Sequence, residues 1–200
     1  FTSTSGTFTP LTGATAVTSI QADDQLSAVI PIGFNFQLGG VVYTKLKASS
    51  NGWLQLDTTK TSSRATNDLD NVAEPIIAPL WDDLDGRATG GSSASYTLTG
   101  SSPNQVFTFE WLNWEWRYNS TAPKISFQVK LYEGSNKIEF IYRPEATSAS
   151  TPSASVGFCS ASTGAGTFIS LGDLSANPTV SYTFETANIT SMPDTGRTYS

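Results

Sequence analysis

The apolar residues of this chain recur with the period of a strand, and that period limits the fold more than any other feature. In "IPIGFNF", Ile30, Ile32, Phe34 and Phe36 fall on one face, because successive side chains of a strand point to opposite sides. "VVYTKLKAS", "GWLQLD", "PIIAPLWDD", "SASYTLTG", "QVFTFEW", "KISFQVKLYE", "NKIEFIYRP", "ASVGFCSA", "TFISLG" and "TVSYTFET" continue the alternation. No stretch sustains the i, i+3, i+4, i+7 spacing of an amphipathic helix. Gly39-Gly40, Asn51-Gly52, Asp85-Gly86, Pro103-Asn104 and the "EGSN" of 133–136 separate the runs, with residues suited to tight turns. About ten or eleven short strands with little or no helix predict an all-β fold, a single antiparallel β-sandwich of jelly-roll type.

The 200 residues show no shift in composition that would mark a boundary, so 1–200 reads as one domain. Residues 58–74, "TTKTSSRATNDLDNVAE", lack alternation and apolar anchors and read as a long surface loop. Residues 144–155 read as a second one. Long loops in compact domains are commonly functional. Residues 1–18, rich in Thr and Ser, read as an edge strand or one paired with the C-terminal end.

Charge and residue usage exclude several functions. The net charge is −6, and the 11 Lys and Arg are scattered, so no basic stripe is present to neutralise nucleic-acid phosphates or meet an anionic membrane. No run approaches the roughly 18 apolar residues of a membrane-spanning helix. The chain has no histidine, which removes Ser-His-Asp triads, Cys-His pairs and His-based zinc sites. Its one cysteine, Cys159, reads as a small buried residue in a strand. Only 14% of residues are charged, against about 25% in an ordinary soluble domain, and hydroxyls and amides supply the remaining polarity. That surface chemistry, and a start at Phe1, fit a mature secreted chain whose signal peptide has been removed, or an excised piece.

Three clusters offer chemistry. A glycosidase needs two carboxylates in one cleft, about 5–9.5 Å apart, and Glu110, Glu115 and Glu139 form no such row along a strand. A non-enzymatic role is therefore expected. In "WDDLDG", Asp82, Asp83 and Asp85 end an apolar strand and enter a Gly-rich loop. They are candidate ligands for calcium, which takes several oxygens from a flexible loop, with "NDLDN" at 67–71 as a possible complement. No cofactor is required, and the alternative is that these carboxylates accept backbone N–H groups in a turn or pair with Arg87.

The third cluster is "FTFEWLNWEWRYNS", residues 107–120. Phe107, Phe109 and Trp111 occupy odd positions, and Trp114, Trp116 and Tyr118 even ones. Either a bulge near Leu112-Asn113 resets the phase and all six rings are core, or the second set leaves the core face. In the second case Trp114, Trp116 and Tyr118 form an aromatic row for stacking sugar rings, with Glu115 and Arg117 on the other side. "NST" at Asn119 and "NIT" at Asn188 match the N-glycosylation pattern, and "DTT" at 57–59 resembles a short O-glycosylation motif.

Gly33–Phe36, Ser50–Gly52, Ala78–Asp83 and Pro103–Trp111 resemble, in order, motifs of the nidogen extracellular domain: a G-F-x-F strand, an S-N-G turn, an A-P-x-W-x-D strand and a P-N-x-x-F-x-x-x-W strand. The same order resembles the opening domain of large secreted proteins of Bacteroidetes-type bacteria. The likeness covers roughly residues 27–160 and implies a β-sandwich at the cell exterior without catalysis. It supplies no ligand, and the Trp-rich extension after Trp111 departs from it. The leading expectation is a non-catalytic extracellular adhesion or recognition module that binds a carbohydrate, with a glycan or surface protein as partner. The second is a structural spacer or a subunit of a surface layer or filament, self-associating through residues 1–18.

Overall fold

The computed structural model describes residues 1–181 and 189–200. Fourteen strands are β1 (Ser3–Ser5), β2 (Thr15–Ala16), β3 (Ile30–Leu38), β4 (Val41–Ala48), β5 (Leu54–Gln55), β6 (Ile76–Trp81), β7 (Ser93–Thr99), β8 (Val106–Trp114), β9 (Ile125–Tyr132), β10 (Ile138–Pro144), β11 (Ser155–Cys159), β12 (Phe168–Leu171), β13 (Val180–Ser181) and β14 (Arg197–Tyr199). One turn of 3-10 helix spans Thr18–Ile20. The number exceeds expectation by β1, β2 and β14, which have only two or three residues, too short to show alternation.

The strands form two antiparallel seven-stranded sheets, ordered β1-β14-β10-β9-β8-β7-β2 and β13-β12-β11-β6-β5-β4-β3. The predicted sandwich is therefore what the chain adopts. β3 buries every second residue, Ile30 through Leu38, and leaves Pro31, Gly33, Asn35 and Gln37 exposed. These side chains meet Phe107, Phe109, Phe127, Val129, Phe140 and Tyr142 of the facing sheet in one core. Burial of each such ring contributes about 2–3 kcal/mol.

A second, smaller core lies on the other face of β6. Ile76, Ala78 and Trp81 pack there with Trp53, Cys159 and Phe168 beneath Leu69 and Val72. Leu69 and Val72 belong to the segment expected to lack apolar anchors; both are buried and pin that loop to the sheet. Burial pushes the Cys159 thiol up to about 12, and its Sγ donates to the Glu74 carbonyl at 3.1 Å, consistent with a packing residue.

Residues 1–18 pair within the chain's own sheet. Ser3–Ser5 match Arg197–Tyr199, and Thr15 and Ala16 match Tyr96 and Ser95. Between them, the Leu11 N–H donates to Glu110 Oε2 at 3.1 Å and Gln128 Nε2 to the Thr9 carbonyl at 2.8 Å. The arm thus covers Glu110, which is 1% exposed. The sequon at Asn188 lies outside the described residues, whereas Asn119 is exposed.

Candidate functional site

The aromatic stretch resolves at the bulge. Trp111 pairs with Phe127 but Trp114 pairs with Ile125, so β8 carries one extra residue there. Asn113 takes it up with φ +57, and its N–H donates to Ser126 Oγ at 2.9 Å. The phase resets, and Phe107, Phe109, Trp111, Trp114 and Trp116 are all fully buried. The exposed row of Trp114, Trp116 and Tyr118 is therefore corrected: Trp114 and Trp116 are core, and Tyr118 alone, 45% exposed, reaches the surface.

Burial of a tryptophan leaves one N–H to satisfy, and every indole here finds its partner at the same end of the sandwich. Trp111 donates to the Ser49 carbonyl at 2.9 Å, Trp114 to the Ser50 carbonyl at 2.8 Å and Trp116 to Asp82 Oδ2 at 2.8 Å. Trp81 and Trp53 share the Arg64 carbonyl at 2.8 and 3.2 Å. The core thereby holds three separate loops. Gly86 packs so tightly on Trp114 that a Cβ there would lie 2.6 Å from the indole, and no larger residue fits. Asn51 cross-links the same region, donating to Asp24 Oδ1 at 2.7 Å and accepting the Leu84 N–H at 3.0 Å.

These loops enclose a polar cleft of about 200 Å³, lined by Ala65, Thr66, Asn67, Asp82, Asp83, Arg117 and Ser153. The two long loops of the sequence meet here, one through 65–67 and the other through Ser153. Asn67 Nδ2 joins them, donating to the Ser153 carbonyl and to Ser155 Oγ, each at 2.7 Å. Asp82 accepts from Trp116, from the Ser153 N–H at 2.8 Å, from Ser153 Oγ at 3.2 Å and from the Asp83 N–H at 2.8 Å. Arg117 donates through Nη1 to Thr151 Oγ1, and its guanidinium carbon lies 5.9 Å from the Tyr118 ring centroid. The Tyr118 N–H donates to the Asp83 carbonyl at 2.8 Å.

The three candidate calcium ligands diverge, which corrects their grouping. Asp82 is enclosed by the donors just named. Asp85 is gripped by Arg87, whose Nε donates to both carboxylate oxygens at 2.9 Å. Asp83 turns instead toward Asp23 and Asp24, and one oxygen from each of these three lies within 4.8 Å of the others. The partners of the alternative reading, a backbone N–H for Asp82 and Arg87 for Asp85, are the ones found. Beside this group, Asp23 bridges Asp85, and Asp85 bridges Glu115. Directly paired residues share a face, so three carboxylates stand in a row with Arg87 among them. Burial first, and then Asp85 and Asp23, push Glu115 up to about 7 against the pull of Arg87. For Asp83, burial and then Asp24, Asp23 and Asp82 raise the pKa, and Arg117 opposes them.

Sequence reasoning missed Asp23, Asp24, Arg117 and Ser153 as neighbours of the acidic loop, whereas Asn67 opens the 67–71 patch offered as its complement. The available signal was the pair of long loops, which was recognised without showing that they converge.

Fold and site define a β-sandwich module whose loops, anchored on a tryptophan core, form a polar cleft. The family model described as NIDO related matches residues 1–200, and the chain belongs to that family. Membership of a nidogen-related family points to an extracellular module, and among the described residues no helix is long and apolar enough to cross a membrane. No curated protein and no solved structure matches the chain. Two of the four nidogen-like motifs, Ser50–Gly52 and Ala78–Asp83, build the walls and supports of the cleft.

Proposed function

We propose that the chain is a non-catalytic recognition module of a secreted or cell-surface protein, and that its loop-end cleft binds a carbohydrate. The observation that carries this reading is the cleft itself: polar groups from four chain segments, fixed to the core by indole N–H bonds, next to the exposed ring of Tyr118. Preorganised polar groups beside an aromatic ring suit a ligand with hydroxyl edges and an apolar face. Asp82, already accepting four hydrogen bonds, is a structural acceptor rather than an acid or base, which supports a binding role over hydrolysis. Calcium is not needed for this reading; the carboxylates nearest to one another are Asp23, Asp24 and Asp83.

A glycan array probed with the wild type and with Tyr118→Ala tests the proposal. The wild type binds a subset of glycans, and Tyr118→Ala weakens that binding about tenfold, roughly 1.4 kcal/mol, with Tm unchanged. A wild type that binds nothing sinks it. The alternative of assembly through residues 1–18 has less support, since those residues complete the chain's own sheet.

A further inference from the structure

Arg117 is held at φ +98, a backbone region that residues with a side chain rarely occupy and that recurs at functional sites. Its hydrogen-bond partner Thr151 is also left-handed, at φ +47. Arg117 Nε is shielded from solvent and has no partner among the described residues. Strain and an orphaned donor both oppose folding. Across the same cleft, the Asp83 carboxylate accepts no hydrogen bond from a described residue and makes no ion pair with Arg117. A donor and an acceptor of opposite charge therefore face one cavity without meeting, while Asp82 is closed to a ligand by its four bonds.

Resting on the carbohydrate reading above, we infer that Arg117 and Asp83 determine specificity for a neutral sugar: the guanidinium donates to one hydroxyl oxygen, and the carboxylate accepts the proton of the adjacent hydroxyl. A vicinal diol fills the gap between the two groups, because each hydroxyl both donates and accepts. Sugars bearing a carboxylate or sulfate are disfavoured. Asp23, Asp24 and Asp82 crowd Asp83 with negative charge that Arg117 alone opposes, and together they repel added negative charge. The volume of about 200 Å³ is below the roughly 300–1,000 Å³ of sites for drug-sized ligands, so the cleft takes a single ring rather than a chain. Tyr118, beside Arg117, covers that ring's apolar face.

The test uses a panel of methyl hexopyranosides and the matching methyl uronosides, followed by saturation-transfer NMR and titration, with wild type, Asp83→Asn, Arg117→Ala and Arg117→Gly. The wild type binds at least one hexopyranoside about tenfold more tightly than its uronoside. Arg117→Gly loses binding yet keeps or raises Tm, because glycine relieves the strain. Arg117→Ala loses binding and keeps the strain, so its Tm falls below that of the glycine variant. Equal or tighter binding of uronosides would overturn the specificity while leaving the carbohydrate reading intact. Unchanged hexoside binding by Arg117→Gly would remove Arg117 from it. Failure to bind any sugar of either kind overturns both.

Discussion

The two ends of the sandwich are built on different principles. At one end the β3–β4, β7–β8 and β9–β10 hairpins close through short turns that satisfy themselves. Gly39 and Gly40 take φ +57 and +81, the Glu133 carboxylate accepts from Ser102 Oγ at 2.8 Å and from the Gln105 N–H at 3.0 Å, and Asn136 Oδ1 accepts the Gln37 N–H at 2.8 Å. At the other end the loops are long and are satisfied by the core, through five indole N–H groups. Four of the five described non-glycine residues with positive φ, Asp24, Asn113, Arg117 and Thr151, lie there. Strain and acidic charge thus concentrate at the loop end, and a sandwich stable through its hairpins can carry that burden at its loops.

The largest expected effect tests whether the loop end depends on the tryptophans. Trp114→Ala removes a fully buried ring and should cost about 3–5 kcal/mol, read by denaturant unfolding. A loss as small as that of a surface substitution would contradict its place in the core. Trp116→Phe is milder: it keeps most of the volume but leaves Asp82 short of one donor, at about 1–3 kcal/mol. It should weaken glycan binding, whereas Val42→Thr on exposed β4 of the hairpin end should leave both stability and binding unchanged.

Electrostatics sharpen the comparison further. The Glu115 carboxyl, raised from its ordinary 4.5 to about 7, is more protonated when folded than when unfolded. Its burial therefore costs nothing below about pH 4.5, and the penalty grows as pH rises, reaching full size above about 7. Glu115→Gln should raise Tm at pH 8 by about 3 °C and leave it unchanged near pH 4.5. An equal shift at both values would contradict the assignment. The smallest expected effect is that of chelation. Asp82 and Asp85 are held by protein donors, so EDTA should leave Tm unmoved; a fall would assign calcium to Asp23, Asp24 and Asp83.

Much of the architecture was legible in the sequence because alternation is local. β3 could be read residue by residue, and strand parity in residues 107–118 placed a phase change at Leu112-Asn113, open to a bulge or to an exit from the core face; the bulge is found, taken up by Asn113. Whether Trp114 and Trp116 face outward was not legible, since the answer depends on Ser50 and Asp82, distant in the chain, receiving their N–H groups. Asp82, Asp83 and Asp85 looked like one cluster because they are neighbours in sequence. At a strand end the chain turns between them, and each meets a different partner. Asp23 and Asp24 reach Asp83 only through tertiary folding, as Arg117 comes to share a cleft with Asp83 and Ser153, and no local pattern announces such convergence.

The central claim is that the loop end, and not the hairpin end, is the binding face. Amide and side-chain NMR shifts recorded while titrating a neutral methyl hexopyranoside test it most directly. The account predicts changes at Asn67, Asp83, Arg117, Tyr118 and Ser153, with Gly39, Gly134 and Asn136 still. Shifts confined to the apolar groove around Phe1, Leu38, Ile138 and Phe158 near the hairpin end, or none at all, would contradict it.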